Sequence, residues 1–201
     1  FSNIDDFDPG PGVFQLTSNG SSDFYVLKLD VNGNFLWCRS IGGTAFDKSN
    51  ALATDTSGNV YIAGQFRDTV DFDPGLGTYI LTTSDSNDDS FVLKLDPNGN
   101  FVWATKIGGV GIEVASALTI DMNGDVYSAG LFTGTEDFDP GVGIFNLVSN
   151  GQEDAYIQKL DKDGNFIWAK SFGASSTEAI NGIVTDQNGM VYLTGSFVWD
   201  P

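Results

Sequence analysis

The residues of this chain with the clearest chemical potential are pairs of aspartates in a five-residue segment, Asp-Phe-Asp-Pro-Gly, that occurs three times. In extended backbone, side chains two residues apart point to the same side, so the two carboxylates of each segment lie close together. Such a pair must bind a cation, share a proton or accept hydrogen bonds from backbone N–H groups. We name these aspartates as candidate calcium ligands and keep a structural turn or direct ligand contact as alternatives. They are Asp6, Asp8, Asp71, Asp73, Asp137 and Asp139.

Six further aspartates each open a short turn with the pattern Asp-x-x-Gly, followed in most copies by Asn. The copy that begins at Asp161 (Asp-Lys-Asp-Gly-Asn) is the most similar to a calcium-binding loop. A complete loop, however, uses about six oxygen ligands over about 12 residues, and apolar residues at 166–168 occupy positions that should carry oxygens. We therefore interpret the six as turns in which Asp accepts hydrogen bonds from its own backbone and Gly has positive φ. They begin at Asp30, Asp55, Asp96, Asp121, Asp161 and Asp186.

The spacing of the Asp-Phe-Asp-Pro-Gly segments predicts a repeat protein. The segments begin at Asp6, Asp71 and Asp137, which are 65 and 66 residues apart, and a fixed period of this length is typical of repeat architectures. Each period also holds two pairs of β-rich runs joined by Asp-x-x-Gly turns, as in two hairpins. No stretch has apolar residues at sustained helical spacing, and the chain has 25 glycines, so helix is nearly excluded.

Four strands in two hairpins are the make-up of one propeller blade. The sequence therefore predicts an all-β fold of β-propeller blades, with four main antiparallel strands per repeat of about 65 residues and three repeats visible. We treat residues 1–201 as one β-propeller segment, with repeats at 1–65, 66–131 and 132–196 and the start of a further copy at 197–201. Three blades are too few to close around a channel. The remaining blades would come from the same longer chain or from a second copy.

Two kinds of repeated side chain are expected at contacts between neighbouring blades. A tryptophan recurs at one place on the last strand of each copy, where a large ring can fill the gap that widens away from the axis. A lysine recurs on the preceding strand, two residues before an aspartate, and we expect ion pairs between blades there. The tryptophans are Trp37, Trp103 and Trp168, and the lysines are Lys28, Lys94 and Lys159.

The composition limits the classes of partner. The chain has 9 Lys and Arg against 27 Asp and Glu, with a net charge of -18, so its field repels phosphate backbones and anionic lipid headgroups. We expect no nucleic-acid partner, and the lack of a long apolar run predicts no membrane insertion. Histidine is absent, which removes the commonest general base and the commonest zinc ligand. Cys38 aligns with Ala104 and Ala169 and is interpreted as a small apolar residue.

Several segments of the chain resemble the repeats of the bacterial β-propeller family often called SBBP. They are residues 23–30 (Asp-Phe-Tyr-Val-Leu-Lys-Leu-Asp), 33–34 (Gly-Asn), 41–43 (Ile-Gly-Gly) and 53–64 (Ala-Thr-Asp-Thr-Ser-Gly-Asn-Val-Tyr-Ile-Ala-Gly). The likeness recurs three times along essentially the whole chain, and the Asp-Phe-Asp-Pro-Gly insert is more particular to this sequence. The resemblance implies a propeller fold in a large exported bacterial protein, and it implies no defined catalytic residues.

We accordingly expect a non-catalytic scaffold or recognition segment of a larger secreted or cell-surface bacterial protein, not an enzyme. A protein or glycan partner is expected on three polar loops that vary between copies, at residues 17–23, 82–89 and 148–154. Two alternatives stay open. The chain could be a calcium-dependent glycan-binding or adhesive module with the aspartate pairs as metal sites, or part of a hydrolase or lyase whose active site lies outside this sequence. Calcium is the one cofactor that the residues suggest.

Overall fold

The computed structural model describes residues 1–198, and the regular elements in that range are all β-strands. Of the further copy expected at 197–201, residues 199–201 lie outside the described part of the chain. Residues 1–198 contain no helix that is long and apolar enough to cross a membrane. The strands are β1 (Ile4–Asp6), β2 (Gln15–Thr17), β3 (Phe24–Leu29), β4 (Phe35–Ile41), β5 (Lys48–Thr54), β6 (Val60–Phe66), β7 (Thr69–Asp71), β8 (Ile80–Thr82), β9 (Asp89–Leu95), β10 (Phe101–Ile107), β11 (Glu113–Ile120), β12 (Val126–Phe132), β13 (Thr135–Asp137), β14 (Asn146–Val148), β15 (Asp154–Leu160), β16 (Phe166–Phe172), β17 (Glu178–Thr185) and β18 (Val191–Phe197).

Eight of these strands form two complete four-stranded sheets. One sheet has the order β5-β6-β9-β10 and the other β11-β12-β15-β16, with neighbouring strands antiparallel in both. Each sheet is a meander of four major strands, which is the make-up of a propeller blade. The first strands β5, β11 and β17 contact one another in series, so the first strand is the inner strand of each blade. The expected class, an all-β fold of propeller blades, is confirmed.

Four more strands form two half-blades that flank the complete blades. The hairpin β3–β4 aligns with the third and fourth strands of a blade, whereas β17–β18 aligns with the first and second. In both complete blades the second strand pairs along its length with the third. Within residues 1–198, β18 has only β17 beside it. The two half-blades therefore correspond to the two halves of a blade, and within residues 1–198 they form separate two-stranded sheets.

The apolar runs of the middle strands explain how the blades stack. All but one residue of β6 and every residue of β9 are buried, because each blade is covered by a neighbour on both faces. Alternate residues serve alternate faces: in β6, Ile62 lies in the core shared with the first half-blade, and Tyr61 lies in the core shared with the next blade. Strands covered on both faces need such continuous apolar runs, and this one reads Val60-Tyr61-Ile62-Ala63.

A small hairpin between the second and third strands is an element that the sequence did not predict. These insert hairpins are β7–β8 and β13–β14, and β1–β2 stands in the equivalent position before the first half-blade. The sequence analysis gave a structural turn as one interpretation of this segment and named no strands in it. In each insert hairpin the first aspartate of Asp-Phe-Asp-Pro-Gly is the last residue of the first strand. The candidate calcium ligands therefore lie in these hairpins.

Candidate functional site

The antiparallel order of the strands places two sets of connections at opposite ends of the blades. At one end, which we call the turn end, the Asp-x-x-Gly turns close the hairpins. The other end, the loop end, holds the bases of the insert hairpins and the three variable loops (17–23, 82–89 and 148–154). It also holds the junction loops (42–47, 108–112 and 173–177), which connect the fourth strand of one blade to the first strand of the next.

Each variable loop is bonded in the same way to the point where the junction loop beside it meets the next first strand. Three backbone hydrogen bonds of 2.8–2.9 Å recur, from Asp47 to Ser22, from Glu113 to Asp88 and from Glu178 to Glu153. Side chains add to them, since Nδ2 of Asn19 donates to Gly42 O and Nδ2 of Asn87 donates to Val110 O, both at 3.2 Å. Most residues of the variable loops are nevertheless exposed or half-buried. The structure thus brings the three expected partner-binding loops to one end and holds each in place.

The carboxylates of the six candidate aspartates accept hydrogen bonds within the insert hairpins. Oδ1 of Asp71 accepts from the N–H groups of Asp73 at 3.1 Å and Tyr79 at 2.8 Å, and Oδ1 of Asp73 accepts from Gly75 at 2.8 Å. The same bonds form in the other two copies, through Asp6 and Asp8 and through Asp137 and Asp139. Backbone N–H groups therefore stabilise both carboxylates of each pair, as a structural turn requires.

In the insert hairpins of the two complete blades, the phenylalanine between the paired aspartates is buried in the core. Phe72 is fully buried, with its ring centroid 5.2 Å from that of Phe66 and 5.0 Å from that of Phe91. The same core contains Phe24 of the preceding half-blade, so the hairpin fills space between neighbouring blades. Phe138 is equally buried in the next copy. Burying one such ring contributes about 1.5–3 kcal/mol to folding. The segment therefore helps to hold one blade against another.

Calcium binding by the aspartate pairs stays a prediction. Within residues 1–198, no group of three or more acidic or other metal-ligating side chains is arranged to hold a metal ion. Because Ca²⁺ takes about 6–8 oxygen ligands, one pair of aspartates would supply only part of the set. A calcium ion in an insert hairpin would depend on backbone carbonyl groups and water for the rest.

The turns at the turn end have the structural role that their pattern predicted. Oδ1 of Asp96 accepts hydrogen bonds from the N–H groups of Asn98 at 2.7 Å and Asn100 at 2.9 Å. Gly99 has a φ of 77°, in the left-handed region that glycine tolerates. The other five turns repeat both features. The carboxylates of the Asp-x-x-Gly aspartates therefore accept hydrogen bonds within their own turns.

Tryptophans join the fourth strand of one blade to the turn of the next. Nε1 of Trp37 donates to Pro97 O at 3.1 Å, and Nε1 of Trp103 donates to Lys162 O at 3.2 Å. A Cβ atom at Gly99 would lie 3.1 Å from the Trp37 ring, so this glycine allows the close approach as well as the positive φ. The prediction that the repeated tryptophans lie between blades is confirmed for Trp37 and Trp103.

The ion pairs expected between the repeated lysines and the aspartates two residues later do not form within residues 1–198. Nζ of Lys28 and of Lys94 donate to the same next-blade carbonyl groups as the tryptophans, at 2.8 and 2.9 Å. Lys159 instead pairs with Asp125 of its own blade, at 2.7 Å. The prediction was wrong in the partner because the expected aspartates accept hydrogen bonds from their own turns. The side chains of Lys28 and Lys94 nevertheless form hydrogen bonds to the next blade.

A pair of acids at each junction is a feature that our reading of the sequence missed. One acid stands at the start of a third strand and the other at the start of the next blade's first strand, and five of the six are at most 1% exposed. Burial raises the pKa of four of them, Asp23, Asp47, Asp89 and Glu113. The signal was present, since both acids recur at the repeat period. The pairs are Asp23 with Asp47, Asp89 with Glu113, and Asp154 with Glu178.

Comparisons with known proteins point to a repeat protein. No protein-family model matches the chain. The chain is 28% identical over 175 residues to an uncharacterized WD repeat-containing protein of Acanthamoeba polyphaga mimivirus, an alignment that covers 82% of this chain and 13% of that protein. It is 31% identical over 181 residues to the regulatory protein FlaEY of Caulobacter vibrioides, with 88% of this chain and 18% of that protein covered.

The chain therefore spans less than a fifth of the length of either relative. The likeness to a WD repeat-containing protein agrees with the two four-stranded sheets, because such repeats form four-stranded propeller blades. Sheets and similarity together indicate a repeat protein of the β-propeller type.

Proposed function

We propose that this chain is a non-catalytic scaffold segment that binds a protein partner at its loop end. The observation that carries the proposal is the presentation of three different loops, side by side, by a framework that is otherwise repeated. Loops held by a rigid scaffold commonly carry binding residues. The likeness to a WD repeat-containing protein supports the same role. The aspartate pairs recur in every copy and are hydrogen-bonded to their own backbone, which supports a structural role for them over catalysis.

The charge at the loop end indicates the chemistry of the partner. Asp85 and Asp88 lie in one variable loop and Glu153 lies in another, within a chain of net charge -18. Asp88 already pairs with Arg67 at 2.8 Å, so the remaining carboxylates determine the field that a partner meets. Complementary charge speeds encounter and excludes wrong partners. The partner that fits this end is a polypeptide with a basic surface.

Site-specific crosslinking tests the proposal. A photo-crosslinking residue would replace Ser86 or Gln152, which are exposed in two variable loops, and Asn123, which is exposed at the turn end, would serve as the matched control. In cells that make the protein, we expect both loop positions to give a discrete adduct with one protein and the control position to give none. Adducts of equal yield from both ends, or from the turn end alone, would contradict binding at the loop end.

We also propose that the segment belongs to a larger secreted or cell-surface bacterial protein with SBBP-type repeats. This rests on the resemblance of its repeated segments and on the small share of its relatives that it spans. An antibody against the chain should detect the protein in the medium or on intact cells, where added protease removes the signal. Protection from protease until the cells are lysed would contradict this localisation.

A further inference from the structure

The junction between the two complete blades contains three buried carboxyl groups. Asp89 and Glu113 are 0% exposed and Glu136 is 1% exposed. The first two form the acid pair found at every junction, whereas Glu136, in β13, occurs where the preceding copy has Val70 in β7. This junction therefore has one more acid than the junction before it.

Few groups neutralise or solvate these acids. Nζ of Lys106 pairs with Oδ2 of Asp89 at 2.5 Å, and the N–H group of Gly111 donates to Oε1 of Glu136 at 3.1 Å. Both oxygens of Glu113, Oδ1 of Asp89 and Oε2 of Glu136 are buried without a hydrogen-bond partner. They are four of the five such side-chain atoms found in residues 1–198. Burying a polar group without a hydrogen-bond partner costs free energy. The carboxyl groups of this junction therefore need a further partner.

Two of the carboxyl groups approach the same point beside the junction loop. A methyl group added at Gly111 would lie 2.8 Å from Oε1 of Glu113 and 2.8 Å from Oε1 of Glu136. Like charges so placed in a buried space cannot both persist, and one of the groups takes a proton or a cation. A substrate cannot reach the groups because they are buried, and in the described part of the chain no three acids are arranged around a metal ion.

The preceding junction shows how backbone N–H groups can satisfy an acid at the same position. Asp47 takes the place of Glu113 there, and its Oδ2 and Oδ1 accept hydrogen bonds from the N–H groups of Gly43 at 2.7 Å and Arg67 at 3.2 Å. Glu113 is one methylene group longer, and within residues 1–198 neither of its carboxyl oxygens makes a hydrogen bond of ordinary geometry, although the N–H group of Gly109 lies near enough to lower its pKa in part. The junction between the complete blades therefore differs in an added acid and in weaker hydrogen bonding of the acid that begins the first strand.

The charged and titratable groups around Glu113 are mostly acidic. Burial, followed by repulsion from Glu136 and Asp89, raises the pKa of Glu113 to about 9. The groups that face Glu113 or its two acidic neighbours are Asp85, Asp88 and Asp89 from the variable loop and β9, Lys106 from β10, Glu136 from β13 and Tyr156 from β15.

We propose that Glu113 is a proton-binding site, held as a neutral carboxylic acid beside the carboxyl group of Glu136. Loss of this proton to solvent leaves two like charges in the junction and weakens the contact between the complete blades. The variable loop at 82–89 loosens with it, because the backbone N–H group of Glu113 donates to Asp88 O at 2.9 Å. The proton site stands independently of the proposed function, and its test measures stability and protonation, not partner binding.

The first test compares the pH dependence of thermal unfolding in the whole chain and in Glu113→Gln. The pKa of Glu113 is raised from 4.5 to about 9, so its contribution to stability is complete below pH 4.5 and is lost as the pH rises through 9. We expect the wild-type melting midpoint to fall steeply from pH 5 to pH 9. The amide of Glu113→Gln cannot lose a proton, so its midpoint should fall less and exceed that of the wild type at pH 9. An equal fall in both proteins would overturn the proposal.

A second measurement does not depend on how well the variant folds. The infrared carbonyl band of a protonated carboxylic acid should be present in the wild-type protein at pH 7 and should vanish at alkaline pH. Glu136→Val, which reproduces the residue of the preceding copy, should move that loss to lower pH by removing the nearest like charge. The absence of the band in the wild type would overturn the proposal. So would a rise in midpoint with added Ca²⁺ or Na⁺ that Glu113→Gln lacks, since a cation would then be the ligand.

Discussion

Nε1 of Trp37 donates a hydrogen bond of 3.1 Å to the carbonyl oxygen of Pro97, a residue of a different blade. Trp37 lies on β4 of the first half-blade, and Pro97 lies in the turn between β9 and β10 of the following blade. Trp103 and Lys162 repeat the bond at the next junction, at 3.2 Å. Each of these two junctions is thus joined by an indole at the turn end and by backbone hydrogen bonds at the loop end.

Replacing Trp103 with Phe keeps an aromatic ring between the blades but removes the indole N–H group. We expect the free energy of unfolding to fall by about 1 kcal/mol, because a hydrogen bond contributes about 0.5–1.5 kcal/mol. Urea denaturation would measure the change. Trp168→Phe is the matched control, since the structure places no following turn beside Trp168 within residues 1–198. An equal loss in both variants would argue against the bond between blades.

Replacing Gly164 with Ala should destabilise the chain more than the same change at Gly189. Both glycines have positive φ, 86° and 77°, so each substitution costs about 1–2 kcal/mol in backbone strain. A Cβ atom at Gly164 would also lie 3.1 Å from the Trp103 ring, whereas at Gly189 it would meet nothing within 4 Å. Overpacking should add about 1–3 kcal/mol at Gly164. Thermal melts of the two variants would show the difference, and similar midpoints would contradict it.

Acid should remove the contribution of Asp30 to stability. Hydrogen bonds from the side chain and then the backbone N–H group of Asn34 lower the pKa of Asp30 from 3.8. A carboxylate with a lowered pKa stabilises the fold above its unfolded value, and this stabilisation is lost as the pH falls through the folded value. We expect the wild type to exceed Asp30→Asn in stability at neutral pH and the difference to disappear in acid. A difference that stays constant with pH would show that the charge has no part in it.

The calcium hypothesis makes a prediction about stoichiometry. If each insert hairpin binds one Ca²⁺ ion, calorimetry should give three sites in the wild type, because the aspartate pair occurs three times. The double substitution Asp71→Asn with Asp73→Asn should leave two, while Asp96→Asn, in a turn of the other type, should leave three. Chelator should reverse any rise in melting midpoint. Absence of binding heat in the wild type would leave the turn as the role of these aspartates.

The features that could be predicted from the sequence are those that depend on local pattern and period. The β-rich runs around Asp-x-x-Gly turns were enough to give the hairpins, and positive φ at residues such as Gly99 follows from the turn chemistry. The burial of Cys38, with 1% of its surface exposed, followed from its alignment with alanines. The position of Trp37 between blades followed from the large size of a repeated ring on an outer strand.

The features that could not be predicted depend on contacts between distant segments. The strands of an insert hairpin, such as β7 and β8, have three residues each, which is too short to show a period. They form because Phe72 is buried against Phe66 and Phe91. The partner of Lys94 was misassigned for a similar reason, because its acceptor is a carbonyl group 68 positions away and sequence spacing does not identify it.

The direction of the indole bond has a consequence for how such chains can evolve. In the Trp37–Pro97 and Trp103–Lys162 bonds, an indole N–H group on the fourth strand of one blade donates to a backbone carbonyl group in the turn before the fourth strand of the next blade. The same donor group and the same acceptor group recur at equivalent positions of successive repeats. One repeat can therefore form this bond with any other repeat that follows it. Gene duplication or loss of one unit would then create a new boundary from parts that already match, and the array could change length without new contacts having to be invented.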